Sequence, residues 1–308
     1  MIFNQHMMAR TYMGILKKTI KPWSVSLFAF ALIAPTFSYA GLDRASKAGF
    51  VPHKALYDIK LSSKNSSSKI ANISGRMFYE WQPSCDAWVS THRFDMMYEY
   101  VELPAVRVKS DFSTYESFDG KSFNFTSQRK RDGMVFEEIR GNVSAKDADY
   151  PNEAVYSIPE DLVYDLPEGT LFPMAHTLDV LSSVKKGQKF YKATIFDGSD
   201  EEGPVDITSF VGKPAVYNVP EEYKDHIDAS LVNGKGWNMR LAFFPLNNPE
   251  STSDYEMSLI LHDNGVISDM EIEYSEFSVT QKLIALEKLG SACEPEGVTP
   301  VENKVEKK

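Results

Sequence analysis

Apolar and polar residues alternate with a period of two along most of the chain. In "WVSTHRFDMMYEY" Trp88, Phe94, Met96, Tyr98 and Tyr100 share one phase, while Thr91, Arg93, Asp95 and Glu99 fall on the other. That rhythm predicts strands with one buried and one solvated face. It returns in "YDIKL", where Tyr57, Ile59 and Leu61 alternate with Asp58 and Lys60, and in "DMEIEY" with Met270, Ile272 and Tyr274. Asp119-Gly120, Asp132-Gly133, Asp197-Gly198, Asn233-Gly234 and Asn264-Gly265 tolerate positive φ and predict tight hairpin turns. The serine-rich "LSSKNSSSKI" reads as a further hairpin loop. A mainly β, antiparallel meander follows, closed or nearly closed on itself to limit exposed edges.

Two segments depart from the rhythm. "FPMAHTLDVLSSVKKG" has Pro173 at a first turn, Leu178, Leu181 and Val184 at helical spacing, Lys185 and Lys186 at the end and Gly187 as a stop. It predicts a short amphipathic helix. "QKLIALEKLG" places Leu283, Leu286 and Leu289 on one helical stripe before Gly290 and predicts a second, bringing the chain end back against the sheet. The expected fold therefore carries one or two short helices. No period of twenty to fifty residues is visible, so a repeat architecture is not expected.

The N-terminus changes the picture of where the protein works. Arg10, Lys17, Lys18 and Lys21, with no acidic residue among the first forty, precede the apolar "WSVSLFAFALIAPTF" and the small-residue end "SYA" before Gly41. This is the order of a cleaved secretory signal, and the apolar run is short for a membrane span. Residues 1–40 are expected to be a signal peptide, 41–293 a single β domain, and the polar tail "EPEGVTPVENKVEKK" at 294–308 disordered. Loss of four cations and no anion takes the formal charge from −10 to −14. Such acidity argues against nucleic acid and against anionic lipid headgroups as partners. A soluble, exported protein is expected.

Candidate chemistry is sparse. Cys85, between Trp81 and Trp88, and Cys293 are the two cysteines, with no C-x-x-C pair. Cys85 as nucleophile with His92 as base is disfavoured, because strand alternation puts positions seven apart on opposite faces. "DGSDEEG" gathers Asp197, Asp200, Glu201 and Glu202 but lacks the spacing of a twelve-residue calcium loop, and reads as an acidic turn. His176 falls in the first turns of the predicted helix. The six histidines show no H-x-x-x-H pair, and no G-x-S-x-G serine occurs. No catalytic residue, metal ligand or cofactor site is assigned, and an enzyme is not expected.

Several blocks in order, "YESFDGKSFNFTS", "LPEGTLFPMAHTLDVL", "IFDGSDEEGP", "WNMRLAFFP", "DNGVISDMEIEYSEFSV" and "LEKLGSAC", resemble the EipB-type cell-envelope integrity proteins, from about Val51 to Cys293. The resemblance implies a periplasmic antiparallel β-spiral, an incomplete barrel with a helix inside or beside it, and a role in envelope integrity. It also implies a disulfide between an early strand and the C-terminus, matching Cys85 and Cys293. An oxidising compartment and an even cysteine count agree with a structural bridge. Two functions follow as expectations. In the first, a non-enzymatic protein binds a periplasmic protein partner, its exposed strand edges accepting an extended peptide. In the second, a carrier holds a lipid or lipoprotein acyl chain in an open barrel lined from its nineteen phenylalanines and fifteen tyrosines.

Overall fold

The computed structural model describes residues 49–145, 153–246 and 252–290. The expected signal peptide, the tail and Cys293 lie outside them. Fourteen strands are ordered β1 (His53–Lys64), β2 (Ile70–Pro83), β3 (Ala87–Tyr100), β4 (Val106–Ser117), β5 (Ser122–Arg131), β6 (Met134–Ser144), β7 (Glu153–Ile158) and β8 (Val163–Asp165). Helix α1 (Pro173–Lys185) follows, then β9 (Phe190–Ile195), β10 (Val205–Ala215), β11 (Gly236–Pro245), β12 (Tyr255–His262), β13 (Ile267–Tyr274) and β14 (Phe277–Lys288). Single 3-10 turns at Glu221–Tyr223 and Ala229–Leu231 interrupt the connection from β10 to β11.

All strands join one sheet in the order β8-β7-β6-β5-β4-β3-β2-β1-β14-β13-β12-β11-β10-β9. The chain meanders outward from β1 to β8, crosses through α1, and meanders back so that β14 pairs antiparallel with β1. The sheet curls around α1. Met174, Leu178, Leu181 and Val184 of the helix share one core with Trp81 of β2, Met239 of β11 and Met257 of β12. A second, aromatic core lies under β4–β8, where Phe123 stacks on Phe172 at 4.6 Å and Phe196 meets Phe125 edge-on at 5.4 Å. Burial of such rings is the main favourable contribution to a fold with so little helix.

The period-two reading of β1, β3 and β13 holds, and β3 adds Ser90 and His92 to the buried phase. The expected second helix is instead β14. Leu283 and Leu286 both point inward three residues apart because a bulge at Ile284 resets the strand's phase: Tyr57 pairs with Leu283 but Leu56 with Ala285. A bulge therefore imitates helical spacing. Three of the five turn dipeptides form hairpins, joining β4 to β5, β5 to β6 and β12 to β13. At Asp132-Gly133 both residues take positive φ, 51° and 88°. Asp197-Gly198 lies instead in the longer β9–β10 connection, and Asn233-Gly234 follows the second 3-10 turn.

The sheet's ends are short. β8 has three residues, and β9 is shielded at its C-terminal end, where Leu171 N–H donates to Thr194 O (2.9 Å) and Phe196 N–H to Leu171 O (3.0 Å). Natural sheets limit unwanted pairing in this way.

Candidate functional site

Helix α1 begins inside the barrel, and its first turn needs acceptors for free N–H groups. Phe172 at the N-cap offers none from its side chain. The acceptor comes from β4: buried Glu116 takes Met174 N–H at Oε2 (2.8 Å) and Ala175 N–H at Oε1 (2.7 Å). A carboxylate there complements the positive end of the helix dipole. This tie between sheet and helix had no local sequence signal, since the partners are some sixty positions apart.

The space beside α1 is small, about 70 Å³, and is lined by Tyr79, Ser90, His92, Met174, His176 and Met239 among others. Ligand pockets run to about 300–1,000 Å³. The space beside α1 is therefore too small for such a ligand. His92 sits between Tyr79 (4.8 Å) and Phe112 (5.7 Å), and His176 beside Tyr191 (5.9 Å). Burial pushes both imidazoles down to about 3, so they are neutral packing groups near neutral pH. Cys85 lies in the β2–β3 turn and is not a free thiol. Seven residues of mostly extended strand, roughly 20 Å, separate it from His92, so the two are not brought together.

The acidic segment is a latch across the gap between β9 and β8. Its backbone oxygens accept bonds from the opposite half of the sheet: Ser199 O from Arg129 (3.0 Å), Asp200 O from the Tyr156 hydroxyl (2.8 Å), and Glu201 O from the Tyr164 hydroxyl. Asp197 and Asp200 accept the N–H groups of Ser199 (2.9 Å) and Glu202 (2.8 Å). A side chain at Gly198 would place its Cβ 2.3 Å from Phe125, so the segment can lie this close only with glycine there. Arg129 also pairs with buried Glu137 at 2.5 Å. Burial, followed by the neighbouring Asp197 charge, raises Asp200 to about 7. Among the described residues no group of three or more potential ligands is arranged to hold a metal ion.

The outer face of β10–β14 carries the larger feature, an open groove of about 520 Å³. Bulges between Val211 and Pro214 in β10 and at Ser268 in β13, opposite Ile260 and Leu261 of β12, bend the strands there. Gly212 lets β11 approach closely, since its Cβ would sit 2.9 Å from Asn238 O. Lys282 pairs with Asp269 across β13–β14 at 2.8 Å. Arg240 pairs with Glu256 and lies 3.6 Å from Glu273. Phe210, Ser258, Glu271 and Thr280 complete the lining. The surface offers both signs of charge beside the ring of Phe210.

A continuous antiparallel sheet, open between β8 and β9 and coiled about one helix, defines the class as β-spiral, or barrel-like, proteins. The chain belongs to the EipB-like family, whose model matches residues 44–290. It is 31% identical over 270 residues to the cell envelope integrity protein EipB of Brucella abortus (strain 2308), covering 85% of this chain and 94% of that protein. Among solved structures it resembles a β-barrel-like protein of a domain of unknown function from Brucella abortus. The TM-score is 0.70 at 30% identity, covering 78% of this chain and 99% of that one.

Proposed function

We propose that the protein maintains the cell envelope from the periplasm without catalysis, holding a periplasmic protein partner in the groove on the outer face of β10–β14. The family supports the envelope role and the N-terminal pattern supports export. One contrast carries the choice of site: about 70 Å³ remains inside, beside the helix, against about 520 Å³ in the outer groove. The short, shielded sheet ends favour the groove over strand addition. The carrier reading would need α1 to leave its Glu116 cap and its core, which makes it the weaker account.

A structural bridge between Cys85 and Cys293 completes the proposal. Cys85 is not a free thiol. His53 pairs with Trp81 on one side and Lys288 on the other, so the ends of β2 and β14 lie two strands apart at one edge. From Gly290 three further residues reach position 293, roughly 10 Å of extended chain.

Charge reversal tests the groove. Arg240→Glu with Lys282→Glu should abolish partner capture in cells while leaving the melting temperature near the parent's, because exposed ion pairs contribute about 0–1 kcal/mol each. Unchanged capture by a folded double variant would remove the groove from the account.

A further inference from the structure

The other half of the sheet carries a surface that the groove does not use. At one end of β2–β6, successive turns project apolar side chains into solvent. Val101 and Leu103 in the β3–β4 turn are 64% and 62% exposed, and Met134, Val135 and Phe136 at the start of β6 are 73%, 50% and 47% exposed. The tips are held side by side: Arg107 N–H donates to Asp132 Oδ1 (2.9 Å) and Asp132 N–H to Arg107 O (2.9 Å). Val101 N–H donates to Lys69 O (3.0 Å), fixing the β1–β2 turn to the same edge. Exposed apolar clusters of this kind mark an interaction site.

Charge identifies the partner. The chain as a whole has 43 acidic and 33 basic residues. The three tips reverse that balance: residues 64–69, 101–109 and 130–136 hold Lys64, Lys69, Arg107, Lys109, Lys130 and Arg131 against Glu102 and Asp132. Arg107 and Lys109 share Asp95. Arg131 lies over the Phe136 ring at 5.0 Å, a cation placed directly behind an exposed aromatic. Apolar tips backed by cations, on separate projecting turns rather than in a concave site, fit a yielding anionic surface better than a shaped protein surface.

We propose that the β3–β4 and β5–β6 turns are the protein's docking face for an anionic phospholipid bilayer. Leu103, Met134 and Phe136 enter the headgroup boundary while Lys69, Lys130 and Arg131 meet the lipid phosphates. The contact is peripheral and reversible. It leaves the groove on β10–β14 free, so a partner and a membrane are held by opposite halves of one sheet.

The test is flotation of the protein as isolated from cells, with vesicles of phosphatidylcholine alone and of equal parts phosphatidylcholine and phosphatidylglycerol. The parent should float with the anionic vesicles and not with the neutral ones, and high salt should release it. Leu103→Asp with Phe136→Asp should weaken binding at least tenfold. Lys130→Glu with Arg131→Glu should do so by a similar factor, each cation contributing roughly fivefold near an anionic surface. All four positions are exposed or partly exposed near a turn, and melting curves confirm that the variants fold. Absence of flotation, equal binding to neutral vesicles, or unchanged binding by the folded tip variants would each overturn the proposal. So would a parent that never floats but loses its protein partner when the tips are changed, which would mark a protein interface instead.

Discussion

Single residues set how sheet, helix and latch hold together. Glu116 is the sharpest case, a buried carboxylate serving two backbone donors of α1. Glu116→Gln should lower stability by about 1–3 kcal/mol, since charge-assisted bonds at a helix N-terminus become neutral ones and one acceptor is replaced by a donor group. Denaturant titration checks it. Asp200 gives a pH signature. Its folded value is raised to about 7, so its contribution is fully present below the unfolded carboxylate value near 4 and is lost as pH rises through about 7. Asp200→Asn removes that dependence. The variant's stability relative to the parent should rise by about 1–2 kcal/mol between pH 5 and pH 8, a figure reduced because the loop keeps some solvent contact. The difference between the two proteins is the quantity to measure. Buried His53, with its value lowered to about 4, and His92, lowered to about 3, destabilise both equally as pH falls. A pH-independent difference would remove the raised carboxyl from the latch.

At the scale of elements, what could be read in the sequence followed regularity. The β1, β3 and β13 patterns were legible because each strand keeps one phase, and α1 because Pro173, the leucine stripe and Gly187 mark start, face and stop. β14 was misread because the bulge at Ile284 gives an inward stripe the spacing of a helix. Glu116 and the latch could not be found from local sequence, since their partners meet only when the sheet has coiled. The acidic residues were visible as a cluster, yet the latch works through backbone oxygens, which leave no compositional trace. Gly198→Ala tests the close packing of that segment. With φ at 65° and Phe125 in the path of a Cβ, it should destabilise by about 1–3 kcal/mol on melting, whereas Gly133→Ala, with positive φ and open space, should cost less.

For the whole molecule, the meander out and the meander back meet along β1 and β14, and the proposed bridge from Cys85 to Cys293 would fasten that seam near the chain end. Closing a loop of about two hundred residues stabilises by up to about 5 kcal/mol in the chain-entropy model. Cys85→Ser and Cys293→Ser should therefore lower the melting temperature by the same amount, with the double variant no worse than either. Unequal single variants would mean that the two sulfurs do not share one bond. The central claim is that a barrel plugged by its own helix works from its outer face. Photocrosslinking in living cells tests it most directly, with the reactive group placed at Thr280 in the groove or at Thr177 beside the interior space. A discrete protein adduct is expected from Thr280, lost with Arg240→Glu and Lys282→Glu, and no foreign adduct from Thr177. A lipid captured at Thr177, with nothing captured at Thr280, would contradict that claim.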